Sequence, residues 1–160
     1  MPENLKIVNM KRFVVLLTII LLQSIVIHAQ QKTQDSVKAA VNKLFEAMRT
    51  ADGAKLKTAF SDSAILQTIS SQNGTVKVRT EPIADFADII SKLPAGDADE
   101  RIQFESVKID GDLASVWTPY KFYYKGKFSH CGVNSFQLIR LNGEWKIQYI
   151  IDTRRKEGCE

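Results

Sequence analysis

The sequence predicts an α+β domain in which three N-terminal helices pack on the concave face of one strongly curved antiparallel sheet. Three observations carry this. Apolar residues recur at helical spacing as far as Leu93, and from Arg101 onward the period falls to two. Glycine-bearing turns at Lys125-Gly126 and Asn142-Gly143 then join long alternating segments into a meander.

Asp35 or Ser36 caps a first helix whose apolar stripe is Val37, Val41, Leu44, Phe45 and Met48, and Asp52-Gly53 supplies its stop. Leu56, Ala59 and Phe60 give a short second helix that ends at Ser61-Asp62-Ser63. Ala64–Ser70 reads as a strand, Asn73-Gly74 as a turn and VKVR as a short returning strand. Thr80-Glu81-Pro82 opens a third helix with a cap, an early acid and an early proline. Ile83, Phe86, Ala87, Ile90 and Leu93 form its buried stripe, and Pro94-Ala95-Gly96 ends it. RIQFESVKID changes phase between Phe104 and Val107, which one extra residue near Glu105-Ser106, a β-bulge, would reconcile. LASVWTPYKFYY, KFSHCGVNSFQLIRL and EWKIQYIIDTRR supply the long strands.

Register follows from the turns. Pairing Leu141 with Glu144 sets Leu138 across from Ile147, Phe136 from Tyr149 and Asn134 from Ile151, with His130 beside Arg155. That side also carries Trp145, so it is the core face, and His130 and Asn134 extend it toward one end. Asp152 then falls on the outer face. In the preceding hairpin, a three-residue Tyr124-Lys125-Gly126 loop turns Ala114, Val116, Thr118, Tyr120 and Phe122 inward. Tyr120 then lies across from His130 and Val116 from Asn134, and Pro119, without an N–H, marks a place where the register can slip.

The opening DSVKAAVNKLFEAMRTADGAKLKTAFSDSAIL and the ending SFQLIRLNGEWKI resemble the nuclear transport factor 2 (NTF2)-like superfamily, and within it the SnoaL-like and lumazine-binding bacterial members. The resemblance covers nearly all of residues 35–156. It implies a cone-shaped sheet with a pocket and often a dimer. It implies no single activity, because the superfold hosts isomerases, dehydratases, cyclases and non-enzymatic binders.

An apolar face grading into Tyr120, His130 and Asn134 has the make-up of a small-molecule site. The expected ligand-binding set is His130, Asn134, Tyr120, Val116, Phe136 and Tyr149, which would hold a small, largely apolar or aromatic molecule. The alternative is an enzyme of isomerase, dehydratase or cyclase type, with His130 and Tyr120 as the catalytic proton-transfer pair. No carboxylate points inward on the two long strands of the last hairpin, Asp85 and Asp88 lie off the buried stripe of their helix, and Asp62 either reaches the pocket mouth or serves a turn. No metal site and no cofactor are expected, because one of only two histidines lies near the N-terminus and the cysteine spacing is no metal motif.

Lys11 and Arg12 precede an uncharged run from Phe13 to Ile27, and His28-Ala29 leads into QQKTQD. This pattern reads as a cleaved secretory signal over residues 1–30, with residues 1–9 a candidate start-site extension; an uncleaved membrane anchor is the alternative. A polar linker at 31–34, the domain at 35–156 and a tail at 157–160 follow. The expected location is periplasmic or secreted, without stable membrane insertion after cleavage. Removing residues 1–30, with Lys6, Lys11, Arg12 and Glu3, leaves 19 basic and 17 acidic groups, a charge of +2. Such a balance argues against a nucleic-acid partner. Cys131 and Cys159 read as two unpaired thiols or a tether for the tail. The outer sheet face, with Trp117, Val133 and Ile150, is the expected surface of a homodimer.

Overall fold

The computed structural model describes residues 30–72 and 74–159. The expected secretory segment and Asn73 of the expected Asn73-Gly74 turn lie outside the described residues. Residues 30–35 are helical and belong to an N-terminal unit, in which Gln31 Nε2 donates to Asp35 Oδ1 at 2.9 Å. The second unit begins at Ser36 and contains everything discussed below.

Helix α1 covers residues 36–49 of this unit, and its expected stripe is buried: Val37, Val41, Leu44, Phe45 and Met48, joined by Ala47. Its end differs from expectation. Ala51, not Gly53, takes the left-handed conformation (φ 57°), while Asp52 caps the next helix by accepting from Lys55 N at 2.8 Å. That helix, α2, spans Gly53–Lys57. Gly53 is buried where α2 meets α3, Ile83–Ser91, and a Cβ there would run into the Ala87 carbonyl and Ser91 Oγ. Close approach explains this glycine better than helix termination does. Phe60 leaves the helix and starts a strand.

The strands are β1 (Phe60–Gln72), β2 (Thr75–Glu81), β3 (Ala98–Ile102), β4 (Ser106–Asp110), β5 (Leu113–Tyr124), β6 (Lys127–Leu141) and β7 (Glu144–Thr153). They form a seven-stranded sheet ordered β2-β1-β7-β6-β5-β3, with β4 also pairing with β5. All pairs are antiparallel except β1 with β7, so the sheet is mixed where an antiparallel one was expected. The phase change in RIQFESVKID appears as a break at 103–105 between β3 and β4, bridged by Gln103 N to Pro119 O at 2.9 Å and Glu105 N to Trp117 O at 3.1 Å.

The core lies where α1 crosses the sheet. Phe136, Leu138, Ile147, Ala114 and Val116 are almost wholly buried, and Phe45 meets Phe136 edge to face at 6.1 Å between ring centroids. Full burial of a side chain such as Phe136 contributes about 2–3 kcal/mol. Trp145 anchors the start of α1 by donating from Nε1 to Ser36 Oγ at 3.2 Å.

Two bulges decide what the concave face presents. The Asn142-Gly143 turn forms as expected, with Leu141 opposite Glu144 and Leu138 opposite Ile147. Beyond this point Gln148 is an extra residue on β7, so Gln137 pairs with Tyr149, Phe136 with Ile150 and Asn134 with Asp152. Facing is reversed for the rest of β7: Ile150 and Asp152 turn inward, Tyr149 and Ile151 outward. Gln148 is held in this position by Ser61 Oγ, which donates to its Oε1 at 2.7 Å, and by its own Nε2, which donates to Ser63 O at 3.1 Å. The second bulge is in β6. The Lys125-Gly126 turn has two residues rather than three, with Tyr124 opposite Lys127, and Ser129 is then the extra residue. The expected inward set on β5 is preserved, but its partners shift: Phe122 lies opposite His130, Tyr120 opposite Gly132 and Thr118 opposite Asn134. β5 runs through Pro119 without a slip.

Among the described residues no helix is long and apolar enough to cross a membrane.

Candidate functional site

Where the sheet curls away from α1, the concave face holds a hollow of about 360 Å³. α1 contributes Leu44, Phe45 and Met48 to its wall, and α3 contributes Phe86, Ile89 and Ile90, with Leu93 just beyond its end. No titratable side chain comes from either helix. The strands supply the polar end: Thr68 from β1, Arg79 and Glu81 from β2, Glu100 from β3, His130 and Asn134 from β6, Asp152 and the following Arg154 from β7. Phe122 and Tyr124 add aromatic surface.

Asp152 organises that end. Its carboxylate accepts from Thr68 Oγ1 at 2.5 Å, from Arg154 Nε at 2.9 Å and from the Tyr120 hydroxyl at 3.1 Å. Arg154 also donates to Thr68 Oγ1 at 3.1 Å. The Tyr120 hydroxyl lies 2.9 Å from Thr153 O as well, and burial followed by the Asp152 charge pushes its pKa upward. Gly132 makes this arrangement fit, because a Cβ there would collide with the Thr153 carbonyl and crowd Tyr120 Cε1. Burial tends to lower the pKa of Arg154, but the Asp152 carboxylate, with smaller contributions from Tyr120 and Glu100, outweighs it and raises the pKa on balance.

Glu100 is placed differently. Asn134 Nδ2 donates to its Oε1 at 2.8 Å, and among the described residues no cation is in contact with it. Burial raises its pKa from 4.5 to about 7; the bond from Asn134 opposes the rise, the Asp152 charge adds to it and the Arg154 charge opposes it. Directly across the strand pair lies Phe122, whose ring is 5.0 Å from that of His130 and tilted by 39°. His130 is held below its ordinary pKa by burial and then by the Arg154 charge, and Ser129 Oγ lies 3.1 Å from its Nδ1.

His130 and Asn134 therefore both reach the hollow. The other members of the expected set do not line it. Tyr120 faces the concave side but directs its hydroxyl to Asp152 and Thr153, so it and His130 are ring neighbours at 5.7 Å and not a hydrogen-bonded pair. Val116 and Phe136 lie in the solid core beneath α1. Tyr149 is turned to the opposite face by the Gln148 bulge and donates to Gln67 Oε1 at 2.8 Å. The same bulge corrects two further expectations: Asp152 is inside, and Ile150 lines the hollow instead of the outer face. Glu100 escaped notice although a signal was present, since extending the alternation of Ile102 and Phe104 backward puts Glu100 on their face.

Cys131 and Cys159 form a disulfide with Cα atoms 5.7 Å apart. Of the two readings, the tail tether is the one observed. The strand pairing continues past β7 as reciprocal 2.9 Å bonds between Cys131 and Arg155, and Gly158 (φ 62°) turns the chain back. Among the described residues no group of three or more His, Cys, Asp or Glu side chains is placed to hold a metal ion.

Residues 32–149 match the family described as "Putative lumazine-binding". The chain belongs to that family. No curated protein matches the sequence. Among solved structures, this lumazine-binding family chain is similar to an NTF2-like protein of unknown function from Shewanella baltica, at 18% identity and TM-score 0.62, over 79% of this chain and 96% of that one. An NTF2-like protein of unknown function from Silicibacter pomeroyi aligns at 15% identity and TM-score 0.60, over 79% and 98% of the two chains. A ketosteroid isomerase-like protein from Erwinia carotovora atroseptica aligns at 15% identity and TM-score 0.55, over 76% and 95%. These likenesses establish the NTF2-like fold, and the family description points to small-molecule binding.

Proposed function

We propose that this is an exported protein that binds a small, largely apolar or aromatic molecule in the hollow between α1, α3 and the sheet. The observation that carries the reading is the division of that hollow: one side built only from apolar helix side chains, the other from convergent polar groups led by Glu100, Asn134 and His130. Volume and lining both suit a small molecule oriented by its polar end. Export is supported by the leader-like N-terminus and by the Cys131–Cys159 bond, which suits an oxidising compartment. A homodimer through the convex face belongs to the same reading. Trp117, Val78 and Ile65 are exposed there, and Ile151 replaces Ile150 in the patch.

The test is saturable binding of the neutral fluorophore N-phenylnaphthylamine by wild type and by Leu93→Trp, whose larger side chain would fill the hollow. One site in wild type, lost in a variant that still melts cooperatively, is the expected result. Absence of saturable binding to wild type would remove the reading.

A second reading, proton-transfer catalysis, is favoured by one observation: Glu100 is a carboxyl group inside the hollow with a pKa of about 7, the range that general acid–base chemistry needs. Glu100 would then take the role that Tyr120 was expected to share with His130, because the Tyr120 hydroxyl is already committed. Turnover of a molecule that co-purifies with the protein, lost in Glu100→Gln, would distinguish an enzyme from a binder.

A further inference from the structure

Charges around the hollow do not cancel. Arg79 is paired with Glu81 at 2.8 Å and Arg154 with Asp152 at 2.9 Å, so both cations are already matched. Glu100 is the carboxylate left over, and its one hydrogen-bond partner is the neutral amide of Asn134. A carboxyl group held away from bulk water with no ion-pair partner either keeps a proton or takes a counter-charge, and a cationic ligand in the hollow can supply the second.

The surroundings of Glu100 narrow what can arrive. From β5, Phe122 faces it across the strand pair, and from β6 come Asn134 and the tilted ring of His130. β7 contributes the matched pair Asp152–Arg154, β2 the matched pair Arg79–Glu81, and Tyr120 is tied to Asp152. α1 and α3 present only Leu44, Phe45, Met48 and their apolar counterparts. A flat group entering here meets aromatic faces beside it and a carboxylate at its edge. That suits a cation whose charge is spread over planar N–H groups, which can both stack and donate to the carboxylate.

We propose that the hollow selects small planar organic cations of the amidinium or protonated nitrogen-heterocycle kind, with Glu100 as the residue that recognises their N–H edge. This rests on the ligand-binding reading above and specifies the ligand's chemistry. It disfavours aromatic carboxylates, which would bring a second negative charge against Glu100. It also sets a direction with pH. At acid pH Glu100 is protonated and has no charge to offer; above about 7 it is ionised. Cation affinity should therefore rise through neutrality, and burial, which lowers the His130 pKa, works against a competing positive charge on that ring.

The experiment uses three probes of one shape: naphthamidine, naphthamide and naphthoate, each titrated against bound N-phenylnaphthylamine. At about pH 8, a charge-assisted hydrogen bond predicts that the amidine displaces the fluorophore at roughly tenfold lower concentration than the amide, with naphthoate weakest. In Glu100→Gln the amidine-to-amide ratio should fall to about one. Independently of any variant, the wild-type affinity for the amidine should drop roughly tenfold from about pH 8 to about pH 6, while that for the amide stays level. Displacement by all three probes with no preference for the amidine, or a preference indifferent to pH, overturns the proposal and leaves the binding reading standing. Failure of the fluorophore itself to bind overturns both.

Discussion

Replacing Glu100 by glutamine should make the protein more stable, and more so as pH rises. Burial lifts the Glu100 pKa from 4.5 to about 7. A carboxyl group with a raised folded-state pKa favours folding in its protonated form. Its contribution is whole below about 4.5 and is lost as pH climbs through about 7. Each pKa unit is worth about 1.4 kcal/mol, so ionisation costs the folded state about 3 kcal/mol when complete. Between about pH 5 and pH 8 the wild type should lose about 2 kcal/mol from this group alone. Glutamine keeps the shape and can still accept from Asn134 Nδ2, but it cannot ionise. The assay is urea denaturation followed by tryptophan fluorescence, on unliganded protein with its disulfide intact, across that pH range. Other titrating groups are common to both proteins, so the difference between the two curves isolates Glu100. A stability gap that stays constant with pH, or shrinks as pH rises, would refute the assignment of Glu100 as a partly buried carboxylate without an ion-pair partner.

Cys159→Ser should cost about 3 kcal/mol in the same assay, because the bond to Cys131 closes a loop of 28 residues' separation; an unchanged midpoint, with mass spectrometry confirming loss of the bond, would show that the tail adds nothing. Trp117→Arg, on the convex face at 44% exposure, should convert a dimer to monomer in sedimentation velocity without loss of folding. A dimer that persists would rule out this face.

Much of the fold was legible because long, strongly periodic segments announce themselves. The stripe from Val37 to Met48 and that from Ile83 to Leu93 are helical in spacing and turn the expected faces inward. Asn142-Gly143 set the β6–β7 register correctly for its first few pairs, and Ala114 to Phe122 face inward as read. What escaped was insertion of single residues. Nothing in EWKIQYIIDTRR distinguishes Gln148 as an extra residue, because its stabilising partners, Ser61 and Ser63, are far away in the chain. One undetected bulge exchanged Tyr149 for Ile150 and hid Asp152. The Lys125-Gly126 loop is one residue shorter than the expected three, and the extra residue Ser129 compensates, so the facing agrees with the sequence pattern while the cross-strand partners are displaced. His130 and Asn134 face the hollow as the sequence suggests because the alternation of their strand is unbroken from His130 to Leu138.

The two bulges also explain why the polar groups converge. Gln148 brings Asp152 opposite Asn134, and Ser129 brings Tyr120 opposite Gly132, the one residue over which its ring can reach Thr153 and Asp152. The hub that results is satisfied internally: Thr68, Tyr120 and Arg154 meet the needs of Asp152, and Arg154 is held in return. A closed network of this kind makes a rigid frame and has little left to offer a ligand. Glu100 makes no hydrogen bond or ion-pair contact with it, bonds to Asn134, and feels Asp152 and Arg154 only through their charges. The division of labour is therefore between a carboxylate that holds the sheet end together and one that is left for a visitor. With its pKa near neutrality, the second can shelter its charge behind a proton when the hollow is empty and exchange that proton for a cation when it is filled.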